Sequence, residues 1–574
     1  MSEPVAQPKP SAVEGIKEAS RRLRGTLAEA LASDSPTFPH DDGTLLKFHG
    51  MYEGYDRDSA TERKKQGLDK EWQLMIRARI PGGRLTAEQY LVLDGLAGRL
   101  ANGTLRATTR QAIQFHGVVK GDVKALIQEI NAALLNTIAA CGDVVRNVMA
   151  LPAPVKDAIH AAVYEDAALL SRHLLPRSRA YHEIWLDGEK LPDSGAEEEP
   201  LYGATYLPRK FKIAMALPED NTPDVLANDL GLIAIVKDGK VTGYNVAIGG
   251  GMGRTHNNAK TYPRLASLVC YVKRDNLVPL AEAVVKLHRD HGDRSDRRHA
   301  RLKYVVEEKG VTWAKARLEE YLGRDLKDPK KTPAYKVKDH LGWHRQGDGK
   351  WYLGVPVPSG RIGDDLPYQG GTTLLRTALR RVVETFRPSV ILMPTQDVIL
   401  ADIAPADRDA VEAELRRFGV RLAQDLLPIE RWSLACPALP TCGLALTEAE
   451  RVHKPILKGI AEALTRHGLE GEHLAIRITG CPNGCARPYN CDIGLVGRMP
   501  GHYQVLVGGD LAGTRLNTAL FDRVAEADLA ATLEPLFAAF ARDRKGGEGF
   551  GDFCHRVGID RLKELAGGEL EPAE

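Results

Sequence analysis

The chain has 574 residues, 43 % hydrophobic and 27 % charged, with a formal net charge of +2, which predicts a globular protein of roughly two to four domains. No apolar run reaches the length of a membrane span, and the near-neutral charge excludes a generally basic protein, so any anion site must be built locally. Eight cysteines are too few for a secreted disulfide framework, and four of them form two close pairs, the pattern of a metal or cluster site in a reducing compartment.

Residues 1–14 are rich in Pro and polar side chains, which predicts a mobile arm, and they show no targeting character. Ile16, Ala19, Leu23 and Leu27 then predict one amphipathic helix from Glu14 to Ser33. From Gln73 the chain alternates as a strand, with Leu74, Ile76, Ala78 and Ile80 on one face and Met75, Arg77 and Arg79 on the other. Pro81-Gly82-Gly83 ends it, and a helix follows that is N-capped by Thr86, with Tyr90, Leu93, Leu96 and Leu100 on one side. Leu105 to Val118 reads as two short strands around Thr108-Thr109-Arg110.

The same order recurs. Tyr352 to Val357 alternates, and Pro358-Ser359-Gly360-Arg361-Ile362 echoes Pro81-Gly82-Gly83-Arg84-Leu85. A helix over about Thr372 to Phe386 and strands around Pro394-Thr395-Gln396 complete a second copy of one strand–turn–helix–strand–strand half-domain. Between the copies lie helical patterns at Val123–Cys141, Val155–Leu174 and Pro279–Gly292. Strands are expected at Lys210–Leu217, Leu232–Lys237 and Tyr244–Ile248. The predicted fold mixes α+β and α/β, with a pseudo-twofold repeat of half-domains each followed by an α/β domain. It divides into an N-terminal arm and helix (1–72), half-domain 1 (73–140), an α/β domain (141–345), half-domain 2 (346–420) and a last α/β domain (421–574) that carries the paired cysteines.

Those cysteines are spaced Cys436-x5-Cys442 and Cys481-x3-Cys485. Four thiolates suit zinc or an iron–sulfur cluster, and the wide first gap fits a zinc knuckle poorly. Zinc and four unliganded core cysteines remain alternatives. Gly480 and Gly484 are expected to let backbone approach a bulky cofactor. Cys141, Cys270, Cys491 and Cys554 lack ligand spacing and read as structural. A basic set stands elsewhere: Arg77, Arg106, Arg110, Arg146, Lys210 and Lys212, with Lys210 and Lys212 on one face of a strand and His116 nearby. Singly, each reads as a solvated charge or a satisfied histidine; together they call for a polyanion.

Thr479-Gly480-Cys481-Pro482-Asn483-Gly484-Cys485-Ala486-Arg487, with Cys436 and Cys442 upstream, resembles the signature of the sirohaem nitrite and sulfite reductase family. The similarity covers nearly the whole chain. Leu45-Leu46-Lys47-Phe48-His49-Gly50-Met51-Tyr52 and Gly547-Glu548-Gly549-Phe550-Gly551-Asp552-Phe553 resemble the ends of its bacterial haemoprotein-subunit branch. The resemblance implies ferredoxin-like half-domains and a 4Fe–4S cluster on Cys436, Cys442, Cys481 and Cys485, with Cys485 also bridging to a sirohaem. It makes Arg77, Arg146, Lys210 and Lys212 the sulfite-binding, catalytic set. Arg106, Arg110, Gln114, His116, Arg209, Arg301 and Asn483 join Cys485 as cofactor-binding positions, with Arg301 standing where the family carries lysine.

The implied reaction is assimilatory six-electron reduction of sulfite to sulfide in the cytoplasm. Gly249-Gly250-Gly251-Met252-Gly253 fails the G-x-G-x-x-G spacing because His256 takes the third glycine's place, and no dinucleotide fingerprint appears elsewhere. Electrons are therefore expected from another protein: a flavoprotein subunit carrying FAD/FMN and using NADPH, or alternatively ferredoxin. Nitrite reduction is the rival within the family. The rival from another class is a zinc-stabilised protein binding nucleic acid through the basic stretch Arg294–Lys303. That stretch lacks interleaved aromatics, so neither nucleic acid nor membrane is expected as a partner.

Overall fold

The computed structural model describes residues 8–177 and 199–567, together with the short strands at 185–186 and 189–190. Residues 1–7 of the predicted mobile arm lie outside the described residues. The rest of that arm docks: the Ser11 amide donates to the Arg294 carbonyl at 2.9 Å, and the helix Ala12–Ala19 starts one residue later.

The single helix expected over Glu14–Ser33 is two, Ala12–Ala19 and Leu27–Ala32. Ser20 breaks it, because its hydroxyl donates to the Lys17 carbonyl at 2.6 Å and accepts from the Leu23 amide at 3.0 Å. A serine side chain that satisfies backbone in this way competes with the helical ladder. Arg21, Arg22 and Leu23 then take positive φ, and Leu23 is driven into the core at 1 % exposure.

The alternation read from Gln73 produces the strand Trp72–Ala78, with Leu74, Ile76 and Ala78 buried. Thr86 caps the helix Ala87–Leu100 through a capping box with Gln89. Strands Leu105–Ala107 and Ile113–Val118 close the first half-domain. The second copy holds the strand Trp351–Val355, the helix Leu375–Phe386 and the strands Ser389–Leu392 and Val398–Ile403. Even the turns match: Gly82 and Ser359 adopt φ of 60° and 54° at equivalent positions. The copies exchange a strand. Arg84–Leu85 joins the second sheet beside Ile391 and Val390, while Arg361–Ile362 joins the first beside Arg106 and Leu105. One hydrophobic core consequently runs through both.

The intervening domain is a four-stranded sheet in the order Ser267–Lys273, Lys240–Ile248, Leu230–Lys237, Ile213–Ala216. The helix expected over Val123–Cys141 ends at Ala132, where Leu134 takes a positive φ of 59° and the chain turns to pair Asn136 with Arg79. The strand predicted from Lys210 begins only at Ile213, but Phe211 already bridges Val145, so Lys210 and Lys212 flank one paired residue.

The last domain carries a five-stranded sheet in the order Leu434–Ala435, Ile476–Thr479, Ile493–Met499, His502–Val507, Thr518–Ala525, its first two pairings parallel. Cys436 follows the first of these strands, and Cys481 leaves the C-terminal end of the second. Adjacent parallel strands thus deliver both cysteine loops to one edge, where open α/β sheets place their ligands. No helix among the described residues is long and apolar enough to cross a membrane.

Candidate functional site

A row of polar side chains crosses the first half-domain's sheet. Arg77 is paired in register with Gln114, Gln114 with Arg106, and Arg106 with Arg361. Residues in register share a face, and alternation gives that row the face opposite Leu74, Ile76, Ile113 and Phe115. Each member is then fixed. Arg77 donates to the Ala140 carbonyl at 3.2 Å and to the Cys141 sulfur at 3.0 Å, which draws a cysteine read as structural into the site. Gln114 donates to the Met75 sulfur at 3.3 Å. Arg106 reaches the carbonyls of Ser359 and Ala435 at 2.7 and 2.9 Å, tying both half-domains to the residue before Cys436.

His116 lies two residues beyond Gln114 and receives the Arg361 guanidinium on Nδ1 at 2.8 Å. Burial, then Arg361, Arg106 and Arg77, hold it well below its usual pKa, so it is neutral. Arg361 also binds Glu450 with two hydrogen bonds of 2.7 and 2.9 Å. Sequence reading missed Glu450, which has no motif around it.

The remaining cations converge from the next domain. Arg146 sits opposite Lys212, and near Lys210, because the chain around Val145 runs parallel to the chain around Phe211. Its Nε donates to the Gly142 carbonyl at 2.8 Å, and it is hydrogen-bonded to the Tyr52 hydroxyl. Tyr52, the last residue of the motif beginning at Leu45, is a pocket residue to which the sequence reading gave no role. Arg110 spans three segments, donating to Asn228 Oδ1 at 2.9 Å and to the carbonyls of Asn147 and Ile213 at 2.6 and 3.2 Å. Burial, and then Arg209, Arg301 and Arg146, push Lys210 down to about 7. Burial and its cationic neighbours, Lys210 first, take Lys212 well below its ordinary value.

Arg301 is locked, donating to Asp229 at 2.6 Å and to the Gly250 carbonyl at 3.2 Å. Asp229 also receives the Lys212 amide at 2.9 Å, so one carboxylate sets both. Asp143 holds Arg297 at 2.6 and 3.1 Å. Burial alone would raise its carboxyl, but Arg297, Arg209 and Lys17 hold it at about 2.

The four cysteines meet at the edge of this cationic space. Burial and then mutual proximity raise the thiols of Cys436, Cys442 and Cys481, and for each Cys485 is the strongest charged neighbour. Cys485 is the exposed member of the set. It lies close enough to Lys210, Lys212 and Arg106 to raise their proton affinity. Thr109 from the first half-domain fixes its carbonyl at 3.0 Å. N–H donors already point at the sulfurs: the Gly480 amide at Cys436, 3.3 Å, and the Asn483 side chain at Cys481, 3.5 Å.

These features fit the two implied groups. Donors aimed at sulfur suit thiolates, and a positive cluster relieves the repulsion that raises the thiols. Among the described residues no three His, Cys, Asp or Glu side chains converge on a single-ion position. The buried Nε groups of Arg77 and Arg110 and the Nη1 of Arg487 have no partner, as cations awaiting carboxylates would.

One glycine expectation is corrected. A Cβ on Gly480 would strike the Thr447 carbonyl at 2.5 Å and Ala438 Cβ at 2.6 Å, and one on Gly484 would strike Tyr489 at 2.9 Å, so the protein itself occupies that closeness. The amides of Gly249, Gly250 and Gly251 are spent on the carbonyls of Asp229, Asn228 and Arg264, so no phosphate loop forms. In the basic stretch Arg294–Lys303 four of the cations are engaged within the protein. Arg294 is spent on Glu14, Arg297 on Asp143, Arg301 on Asp229 and Lys303 on three carbonyls.

Fold and site together define a protein with two copies of one half-domain that brings four cysteines to the edge of a buried cationic cluster. The chain belongs to the nitrite and sulphite reductase family: residues 165–326 and 431–572 match its 4Fe-4S domain, and residues 67–133 and 344–418 match its ferredoxin-like half domain. It is 48 % identical over 555 residues to the "Sulfite reductase (NADPH) hemoprotein beta-component" of Myxococcus xanthus, covering 96 % of this chain and 97 % of that one. It is 44 % identical over 588 residues to the "Sulfite reductase (ferredoxin)" of Synechococcus elongatus, covering 99 % and 92 %. The fold matches that of the Mycobacterium tuberculosis NirA protein with a TM-score of 0.77 at 24 % identity, covering 96 % of this chain and 98 % of that one.

Proposed function

We infer that the protein is the haemoprotein subunit of an assimilatory, NADPH-dependent sulfite reductase of the cytoplasm, reducing sulfite to sulfide with electrons from a flavoprotein partner. The observation that carries this reading is the placement of Cys485, the exposed cysteine, against Lys210, Lys212 and Arg106. Curated relatives of near-equal length name NADPH; a ferredoxin-named relative keeps ferredoxin as the second donor to test.

Cys436, Cys442, Cys481 and Cys485 would hold the 4Fe–4S cluster, and Cys485 with Arg106, Arg110, Gln114, His116, Arg209, Arg301 and Asn483 would seat the sirohaem. When bound, these groups supply the iron on which sulfite sits and, through the Cys485 thiolate, a path for the electrons. The chain's own part is electrostatic. Arg77, Arg146, Lys210 and Lys212 offset the charge of the anion and polarise its S–O bonds as each oxygen departs as water. Arg keeps its proton, so Lys210, Lys212 or ordered water are the better donors, and a Lys210 pKa of about 7 suits a group that gives up and regains a proton near neutrality.

The visible spectrum of the purified protein, before and after sulfite, is the test. A haem band that sulfite perturbs supports the reading; a colourless protein sinks it. Lys210→Met should keep both cofactors and lower sulfite turnover by about a hundredfold or more. Unchanged turnover removes Lys210 from the pocket. Activity with NADPH and the flavoprotein, set against activity with reduced ferredoxin, decides the donor.

A further inference from the structure

Lys17 lies outside every segment expected to carry chemistry, yet its side chain is 0 % exposed. Its ammonium sits 2.5 Å from Glu14 and 3.8 Å from Asp143, and donates to the Leu207 carbonyl at 2.9 Å. Glu14 is held in turn by Arg294, which donates to the Tyr206 carbonyl at 2.7 Å. A buried ammonium persists only when paired. These pairings fasten the N-terminal helix to the loop that carries Arg209, Lys210 and Lys212.

Asp143 is the shared acceptor, with a side chain 3 % exposed. Arg297 takes both of its oxygens, and Lys17 faces the oxygen that Arg297 approaches at 2.6 Å. Arg209 stands 3.7 Å from the other oxygen, near the limit of an ion pair, and its side chain stays 34 % exposed. It neighbours Tyr52 and Arg146 as well, so it has two directions in which to turn.

We propose that Lys17 is a positioning residue for the anion pocket: with Arg297 it compensates Asp143, so that Arg209 stays at 3.7 Å from the carboxylate, beside Tyr52 and Arg146, instead of closing to hydrogen-bond distance on it. The proposal rests on the pocket assigned above. Loss of the Lys17 charge leaves Asp143 under-compensated in a dry setting; Lys47 and Arg146 also feel that charge, and Arg209, at 3.7 Å, is the cation already within ion-pair range. Drawn in, Arg209 leaves the pocket rim one positive charge short. Ground-state binding of a dianion suffers, while Lys210 and Lys212 stay in place for the chemical step.

Steady-state sulfite reduction by the holoenzyme tests this. Lys17→Met should raise KM for sulfite about tenfold, the scale of coupling between residues that share a partner, with kcat within about twofold and the haem band retained at wild-type intensity, its position free to shift because Arg209 also stands among the sirohaem positions; Lys17→Arg should restore KM. In an Arg209→Met background, Lys17→Met should add nothing, because both act through one guanidinium. An unchanged KM in Lys17→Met, or additive effects in the double variant, overturns the proposal. If Lys17→Met does not accumulate as holoenzyme, Glu14→Gln loosens the same ammonium. Its smaller KM rise must vanish with Arg209→Met, and a rise that persists there also overturns the proposal. Lys210→Met separates the two readings: full turnover in that variant defeats the pocket assignment, whereas an inactive Lys210→Met beside a wild-type KM in Lys17→Met defeats only the positioning role.

Discussion

Asn483 lies between two cysteines of the signature, and its amide donates to Cys481 at 3.5 Å. A donor to a ligating sulfur stabilises the more negative, reduced state of a cluster more than the oxidised one. Asn483→Ala should therefore make the cluster potential more negative by on the order of 40 mV, taking the bond as ~1 kcal/mol and one electron. A redox titration followed by electron paramagnetic resonance measures it, and an unchanged or raised midpoint would remove that role. Cys485→Ser belongs to the same scale, with a different readout. Coupling between cluster and haem signals should disappear even where both groups are retained, and persistent coupling would show that the bridge lies elsewhere.

Glu450 carries the argument at the scale of elements. It is buried at 4 % exposure and joins Arg361 from the exchanged strand, Arg106 from the first sheet and the Tyr368 hydroxyl. Glu450→Gln leaves two guanidinium groups facing each other without a charge between them. Breaking a buried pair in this way costs about 3 kcal/mol, which a fall in the denaturant midpoint reports; an unchanged midpoint would mean that water already compensates the node. Much of the surrounding architecture was legible beforehand. Alternation set the inward faces of Trp72–Ala78 and Trp351–Val355, Thr86 marked its cap, and the repeated Pro-x-Gly-Arg turns marked the two copies. The four cysteines and most of the basic residues of the candidate site were also legible, because close cysteine pairs and clustered Arg and Lys stand out as residue types. Glu450, Asp143 and Lys17 were not. Their significance lies in pairs some 90 to 190 positions apart, such as Glu450 with Arg361 and Lys17 with Leu207, and no local pattern encodes those. The break at Ser20 escaped for a related reason: two hydrogen bonds of one side chain overrode a helical periodicity that continued past it.

At the scale of the whole molecule, the repeat is symmetric in backbone and asymmetric in chemistry. The row Arg77–Gln114–Arg106–Arg361 has as its counterpart Gly354–Ile399–Ile391–Arg84, read through the same register. Ile399 and Ile391 pack with Tyr352 and Met393 in an apolar cluster, so the second copy supports the first and carries no comparable anion site on that row. The support is mutual, because each sheet borrows an edge strand from the other and one core spans both. Cutting the chain between Arg345 and Gln346 would leave Leu105–Ala107 without Arg361–Ile362, and Ser389–Leu392 without Arg84–Leu85. Each fragment would then expose an unpaired strand edge beside half of a core, a surface that seeks another chain. Expressed separately, the two fragments should be aggregated or oligomeric by size-exclusion chromatography, without a cooperative unfolding transition. Co-expressed, they should assemble one to one and recover the circular dichroism of the intact chain. A monomeric, cooperatively unfolding fragment would show that the exchanged strands decorate two independent domains, whereas reassembly only from the pair ties the single site to the integrity of both copies.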